Sequence, residues 1–141
     1  MHQHQFKDTE IFPDIAQLES KENLKKLTKM LIKLFDLWQL DTASQLNLLG
    51  LSETSRATLA KYRDAKSSLA YNRDALDRAG YLLAMHKALR LLYPHNKAIC
   101  YSWIKLKNKA FNNNMPLEII KEQGIIGLAL VARYLDFVRG H

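Results

Sequence analysis

"DALDRAGYLLAMHKALRLLYP", Asp74 to Pro94, carries the longest helical pattern in the chain. Leu76, Ala79, Leu83, His86 and Arg90 recur at spacings of three and four, but they do not all suit one core stripe. Leu82, Leu89, Leu92 and Tyr93 add a second apolar side. A helix that is apolar on two sides lies between other helices rather than on the surface of a bundle. The pattern predicts a helix from about Asn72 to Tyr93, stopped by Pro94, whose ring blocks further helical hydrogen bonding. No segment of the chain alternates apolar and polar residues as a half-buried strand does. The fold class expected is all-α.

Toward the N-terminus, Ser20 is placed to cap a helix whose Leu24, Leu27, Leu31, Leu34, Phe35 and Trp38 share one stripe. Lys25, Lys26, Lys29 and Lys33 fall on its other side, most simply as a solvated face. Asp41 caps a short helix carrying Leu46, Leu48 and Leu49, and Gly50 ends it. Ser52 is expected to cap "ETSRATLAKYR", anchored by Leu59 and Tyr62, with Arg56, Thr58, Lys61 and Arg63 left largely free. "DAKSSLAY" then reads as a linker. Beyond Pro94, Asn96 caps "KAICYSWIK" and "NKAFNNNM" reads as a loop. Pro116 opens a helix at the one position where its missing N–H costs nothing. Gly124 breaks that helix, and a last one runs to about Val138 with Leu128, Val131, Leu135 and Val138 on its core face.

The chain's 141 residues, 48% hydrophobic and 25% charged, suit a globular protein rather than a disordered one. Lys and Arg total 21 against 14 Asp and Glu, a formal +7 that favours nucleic acid or another acidic partner. A single cysteine, Cys100, excludes an internal disulfide and a thiolate metal cage. "MHQHQFKDTE" has no apolar run of the signal-peptide type, and no apolar stretch reaches the ~20 residues of a membrane span. A soluble, cytoplasmic protein with no membrane partner is expected.

"LDTASQLNLLGLSETSRATLAKYR", Leu40 to Arg63, has the outline of a helix-turn-helix. Its polar second helix would lie in the major groove. Thr54, Ser55, Arg56, Thr58, Lys61 and Arg63 are the residues expected to contact DNA, through hydroxyls and cations suited to phosphates and base edges. Two helices packed across a glycine would give the same outline. The distance from Gly50 to Leu59 is also long, with Arg56 where an apolar anchor usually stands, so the turn or helix start is extended.

No catalytic constellation emerges, and no cofactor or metal is expected. His2, His4, His86, His95 and His141 lack metal-ligand spacing with Asp or Glu. His86 reads as a satisfied helix histidine and Cys100 as a buried structural thiol. Asp74 and Asp77 complement the start of the long helix. Gly124 and Gly127 form no phosphate loop, because no strand precedes them.

From about Trp38 to Gly140 the chain resembles the Xre/MbcA/ParS-type antitoxins, partners of RES-domain toxins. "LNLLGLS" is similar to their Xre-like helix-turn-helix, and "DALDRAGYLLAMHKALRLLYP" to the arginine-containing helix that follows. The toxin-binding domain is matched at Ala98, Trp103, Asn108, Phe111, Pro116, Leu117, Gly124, Gly127, Leu128, Val131, Arg133, Tyr134, Leu135, Arg139 and Gly140. "GLSETSRATLAKYR" is a few residues longer than the family's segment, and "NNN" replaces a loop that usually holds glycine.

The resemblance implies an N-terminal helical extension (1–37), an Xre-like helix-turn-helix domain with its long connecting helix (38–93) and a toxin-binding domain (94–141). It implies an antitoxin, not an enzyme, that blocks an NAD-consuming RES-domain toxin and represses its own operon. A homodimer on operator DNA and a hetero-oligomer with the toxin are expected. Arg133, Tyr134, Arg139, Gly140 and His141 are the implied toxin contacts. Trp103, Phe111, Leu117, Gly124, Gly127, Leu128, Val131 and Leu135 are the implied structural anchors. The competing readings are a stand-alone helix-turn-helix regulator and a plain interaction module.

Overall fold

A computed structural model describes residues 20–140, and among them seven α-helices and two 3-10 turns form with no strand. The helices are α1 (Lys21–Leu37), α2 (Thr42–Leu48), α3 (Arg56–Arg63), α4 (Arg73–Leu92), α5 (Lys97–Ser102), α6 (Pro116–Gln123) and α7 (Ile125–Arg139). The 3-10 turns are Trp103–Lys105 and Lys109–Phe111. The all-α class read from periodicity is therefore observed.

Four polar side chains start helices where the sequence placed them. Ser20 Oγ accepts from Asn23 N at 3.0 Å and Asp41 Oδ1 from Ser44 N at 2.8 Å. Asn72 Oδ1 accepts from Ala75 N at 2.9 Å and Asn96 Oδ1 from Ile99 N at 3.1 Å. Each satisfies an N–H that the first helical turn leaves without a partner. The Ser44 hydroxyl and N–H also hold the Asp41 carboxyl below its usual range. Pro116 opens α6 as its first residue, and Glu118 Oε1 accepts from Met115 N at 2.8 Å.

The start of α3 differs from expectation. Ser52 does not cap it; the helix begins at Arg56, with Ser55 at the cap position but without a side-chain cap hydrogen bond. Ser52 Oγ instead meets Thr54 Oγ1 at 2.7 Å and Ser55 Oγ at 3.2 Å. Short hydroxyl side chains compete with helical hydrogen bonding in this way, so the turn takes in residues read as helix.

α4 is the central element. It packs most extensively against α7 and also against α1 and α5, which accounts for its two apolar sides. Ala79, Leu82, Leu83, Met85, Ala88 and Leu89 are its buried residues. One contiguous core runs from Leu27 in α1 to Leu135 in α7, with Phe35, Trp38, Leu46, Leu48, Leu82, Met85, Leu89, Ile104, Ile120 and Leu128 fully buried. Burying one such side chain contributes about 1.5–3 kcal/mol. Val138, placed on the core face by its spacing, is only half-buried because α7 is near its end there.

α6 and α7 meet closely at Gly127. A Cβ on Gly127 would stand 2.7 Å from the Ile119 carbonyl oxygen and 3.0 Å from Ile120 Cα. Both are backbone atoms and cannot swing aside. Gly127→Ala should therefore destabilise the protein by about 1–3 kcal/mol, the range for overpacking. Thermal unfolding checks this, and an unchanged melting temperature would mean that the two helices part without cost.

Candidate functional site

α7 carries apolar residues on two opposite faces. Gly127, Leu128, Val131, Ala132 and Leu135 are buried against α4 and α6. Ile126, Leu130, Arg133 and Phe137 follow at spacings of four, three and four, which at ~100° per residue keeps them on one outward stripe. Ile126 is 69% exposed, Leu130 42% and Phe137 62%. Arg133 is exposed in the middle of the stripe and makes no ion pair among the described residues. Exposed apolar side chains aligned around a cation have the composition favoured in contact faces.

Beside this stripe lies an open groove of about 500 Å³. α7 supplies Leu130, Arg133, Tyr134 and Phe137, α6 supplies Ile119 and Gln123, and the turn before α6 supplies Phe111 and Asn112. Two of its lining rings, Phe111 and Tyr134, form a cluster with Trp103 behind them. Tyr134 meets Phe111 edge-on at 5.1 Å and stacks on Trp103 at 6.3 Å, while Trp103 and Phe111 meet edge-on at 6.5 Å. Trp103 and Phe111 are each 7% exposed, and Tyr134 is half-buried with one side on the cluster and one on the groove.

The asparagine turn shapes the other wall. Asn112 and Asn113 both have positive φ, 55° and 64°. Asparagine tolerates this left-handed region better than most residues, so the turn closes without glycine. Asn108 N donates to Asn114 O at 3.1 Å and Asn113 N to Asn108 O at 2.9 Å, which closes the loop. Asn108 Oδ1 also accepts from Ala110 N at 2.9 Å.

Arg139 is exposed but pairs with Asp136 at 2.8 Å, one turn back on the same helix. Gly140 follows α7 as its C-cap, and His141 lies outside the described residues. Leu117, Leu128, Val131 and Leu135 are buried, and Gly124 joins α6 to α7 as the shared cap residue. Ile126, Leu130 and Phe137 were not singled out from sequence; their spacing with Arg133 was the available signal.

At the other end, α2 leads through Gly50 to the turn before α3. Gly50 has φ +72°, and a Cβ there would stand 2.6 Å from Arg78 Nε. Arg78 comes from α4, pairs with Asp74 at 3.0 Å and has a side chain only 12% exposed. Arg56 and Lys61 are exposed on α3, Thr58 is half-buried, and Thr54 and Ser55 precede the helix. Arg63 is not free. Its guanidinium donates to both Asp36 oxygens at 2.9 and 3.1 Å and to Gln45 Oε1 at 3.2 Å, tying α3 to α1 and α2. The partner, Asp36, is 27 residues away in sequence, so local spacing could not reveal it.

Among the described residues no three of His, Cys, Asp and Glu gather as metal ligands, and no helix is long and apolar enough to cross a membrane. Cys100 is buried, and burial pushes its thiol pKa up, away from the reactive thiolate. His86 is not the satisfied histidine expected. Its Nδ1 is buried without a hydrogen-bond partner among the described residues, and its ring stacks on Tyr101 at 6.2 Å. Burial, with the nearby Arg90 charge, lowers its pKa from the usual 6.5.

A lowered histidine pKa means that the unfolded chain binds the proton more readily. Stability from this site is full above pH 6.5 and falls as pH drops through 6.5 toward the lower folded value. Melting temperature should therefore fall between about pH 7.5 and pH 5 more steeply for the native chain than for His86→Leu. Parallel curves for the two would remove the histidine from the pH response.

These features define an all-α protein whose last helix leaves an exposed apolar stripe beside an open groove. Residues 88–140 match the family described as the antitoxin Xre/MbcA/ParS C-terminal toxin-binding domain. This match supports an antitoxin role in a toxin–antitoxin system and implies a cognate toxin as partner. The match begins inside α4 and takes in the three-ring cluster, the asparagine turn, α6 and α7. The family is generally non-enzymatic. No curated protein and no solved structure matches the chain.

Proposed function

We propose that the protein is the antitoxin of a RES-domain, NAD-consuming toxin and that it neutralises the toxin by covering its active site. The observation that carries this reading is the outward stripe of α7 beside the groove, inside the matched toxin-binding domain. Leu130 and Phe137 are the apolar anchors, and Arg133 is the cation set between them. A site built to hold a dinucleotide is polar and contains groups that an arginine can pair with, carboxylates included. Tyr134 lines the groove, while Arg139, Gly140 and His141 extend the same end of the chain.

The second part of the proposal is autorepression. Residues 38–93 act as the DNA-binding segment, with Thr54, Ser55, Arg56, Thr58 and Lys61 as its contacts and a homodimer matching two half-sites. Arg63 leaves the direct contact set and acts by orienting α3 through Asp36.

Co-expression with the neighbouring gene product is the test. The pair should copurify, growth should recover, and cellular NAD should return to its normal level. Growth arrest that persists despite a soluble, coexpressed antitoxin would reject the proposal. A chain with no toxin partner that still binds its upstream DNA would favour the stand-alone regulator.

A further inference from the structure

α1 carries Lys21, Lys25, Lys26, Lys29 and Lys33 against only Glu22 and Asp36. Asp36 is already occupied by Arg63. Lys25, Lys26, Lys29 and Lys33 are exposed and make no ion pair among the described residues. Lys25 and Lys29 are one turn apart, and Asp36 lies two turns beyond Lys29. At ~100° per residue these three fall within about 40° of one another around the helix. The side of α1 that binds α3 through Asp36 is thus the side on which Lys25 and Lys29 stand, with Lys33 on its outer shoulder.

α1 is tied to α3 and to the segment after it at two places. Arg63 holds Asp36 near the end of α1, and Thr28 Oγ1 accepts from Leu69 N at 2.9 Å near its middle. α3 and the segment after it are therefore held along α1, and they carry exposed Lys61 and Lys66. α7, with the toxin-facing stripe, packs on the long helix α4 and on α6 instead. The lysines belong to the α3 side of the molecule.

We infer that Lys25, Lys29 and Lys33 form a phosphate-binding ridge that carries the DNA surface from α3 onto the flanking duplex. The inference rests on the DNA-binding reading of α2 and α3. From Lys25 to Lys33 the ridge is about 12 Å long at 1.5 Å per residue, enough to reach neighbouring phosphates of one strand. Flexible lysine ammonium groups act as point charges on phosphate and read no base. The ridge supplies affinity and orientation, while the turn and start of α3 supply sequence preference.

The test compares the native chain with Lys25→Gln/Lys29→Gln/Lys33→Gln and with Arg56→Ala/Lys61→Ala. Anisotropy titrations use the duplex directly upstream of the gene and a scrambled duplex of equal length, over a range of NaCl concentrations. The glutamine variant should bind both duplexes more weakly and keep their affinity ratio. Its log K against log[salt] slope should shrink by about 2–3, given ~0.9 for each phosphate that is no longer neutralised. The α3 variant should lose the ratio. An unchanged slope for a glutamine variant with native helical content overturns the ridge while leaving α3 as the DNA reader. Absence of salt-dependent binding by the native chain overturns the DNA reading and the ridge together. A glutamine variant that keeps its DNA slope but loses toxin neutralisation assigns the lysines to an acidic protein face and overturns the nucleic-acid assignment.

Discussion

Trp103→Ala and Phe111→Ala should each destabilise the protein by about 3–5 kcal/mol, the usual loss for a large buried aromatic. Each ring is 7% exposed and touches the other and Tyr134. Aromatic pairs in such geometry contribute about 0.5–1.5 kcal/mol beyond the area they bury. The cavity left by either truncation cannot simply collapse. Trp103 opens a 3-10 turn continuous with α5, and Phe111 ends another that the Asn108–Asn114 bridge closes. Melting temperature should fall by at least several degrees, since a chain of this size loses roughly 2–4 °C per kcal/mol. The two effects should not add in the double variant, because the rings pack on one another. A variant that keeps its melting temperature and loses the toxin would move that ring from the core to the partner face.

The helices of this fold were legible because their signals are local. Ser20, Asp41, Asn72 and Asn96 each precede an apolar helical pattern, and each makes the cap that such a residue makes. The two-sided apolar pattern of Asp74 to Pro94 was enough to place α4 at the centre. The turn before α3 was less legible. "SETS" offers several hydroxyls that can cap, and the structure uses them on one another.

The site was half legible, for a related reason. Arg133 could be placed opposite Val131 by angle alone, and the structure leaves it exposed. Leu130 and Phe137 were hidden because apolar residues in a helix read first as core. Nothing local says that α7 already has a full buried face. Long-range pairs were not legible at all. Arg63 reads as a largely free cation in the sequence, whereas Asp36 and Gln45 hold it from other helices. Arg78 likewise covers Gly50 from a helix that sequence separates from it by a linker.

Arg133→Glu combined with Phe137→Ser should abolish protection from the toxin and leave the fold intact. Neither side chain lies in the buried core: Arg133 is exposed, and Phe137 is 62% exposed. Surface changes of this kind usually alter stability by no more than about 0.5 kcal/mol. At an interface the same residues count for far more. Arginine and aromatic anchors commonly lose about 2 kcal/mol or more on truncation, and about 1.4 kcal/mol is tenfold in affinity. A glutamate at position 133 adds repulsion wherever the native arginine met a carboxylate, so the pair should weaken toxin binding by roughly a hundredfold or more. Arg139→Glu is the informative contrast. Arg139 already pairs with Asp136, an exposed i,i+3 contact worth at most about 1 kcal/mol, and a cation in the last turn complements the helix dipole. That variant should lose a little stability and keep most of its protection. The measurements are growth rescue, affinity for the purified toxin and melting temperature, with DNA affinity as the check that the rest of the molecule is native. Full protection by the Arg133→Glu/Phe137→Ser chain at normal expression would remove the outward stripe of α7 as the blocking element. Strong loss by Arg139→Glu alone would shift it toward the last turn and the residues that follow.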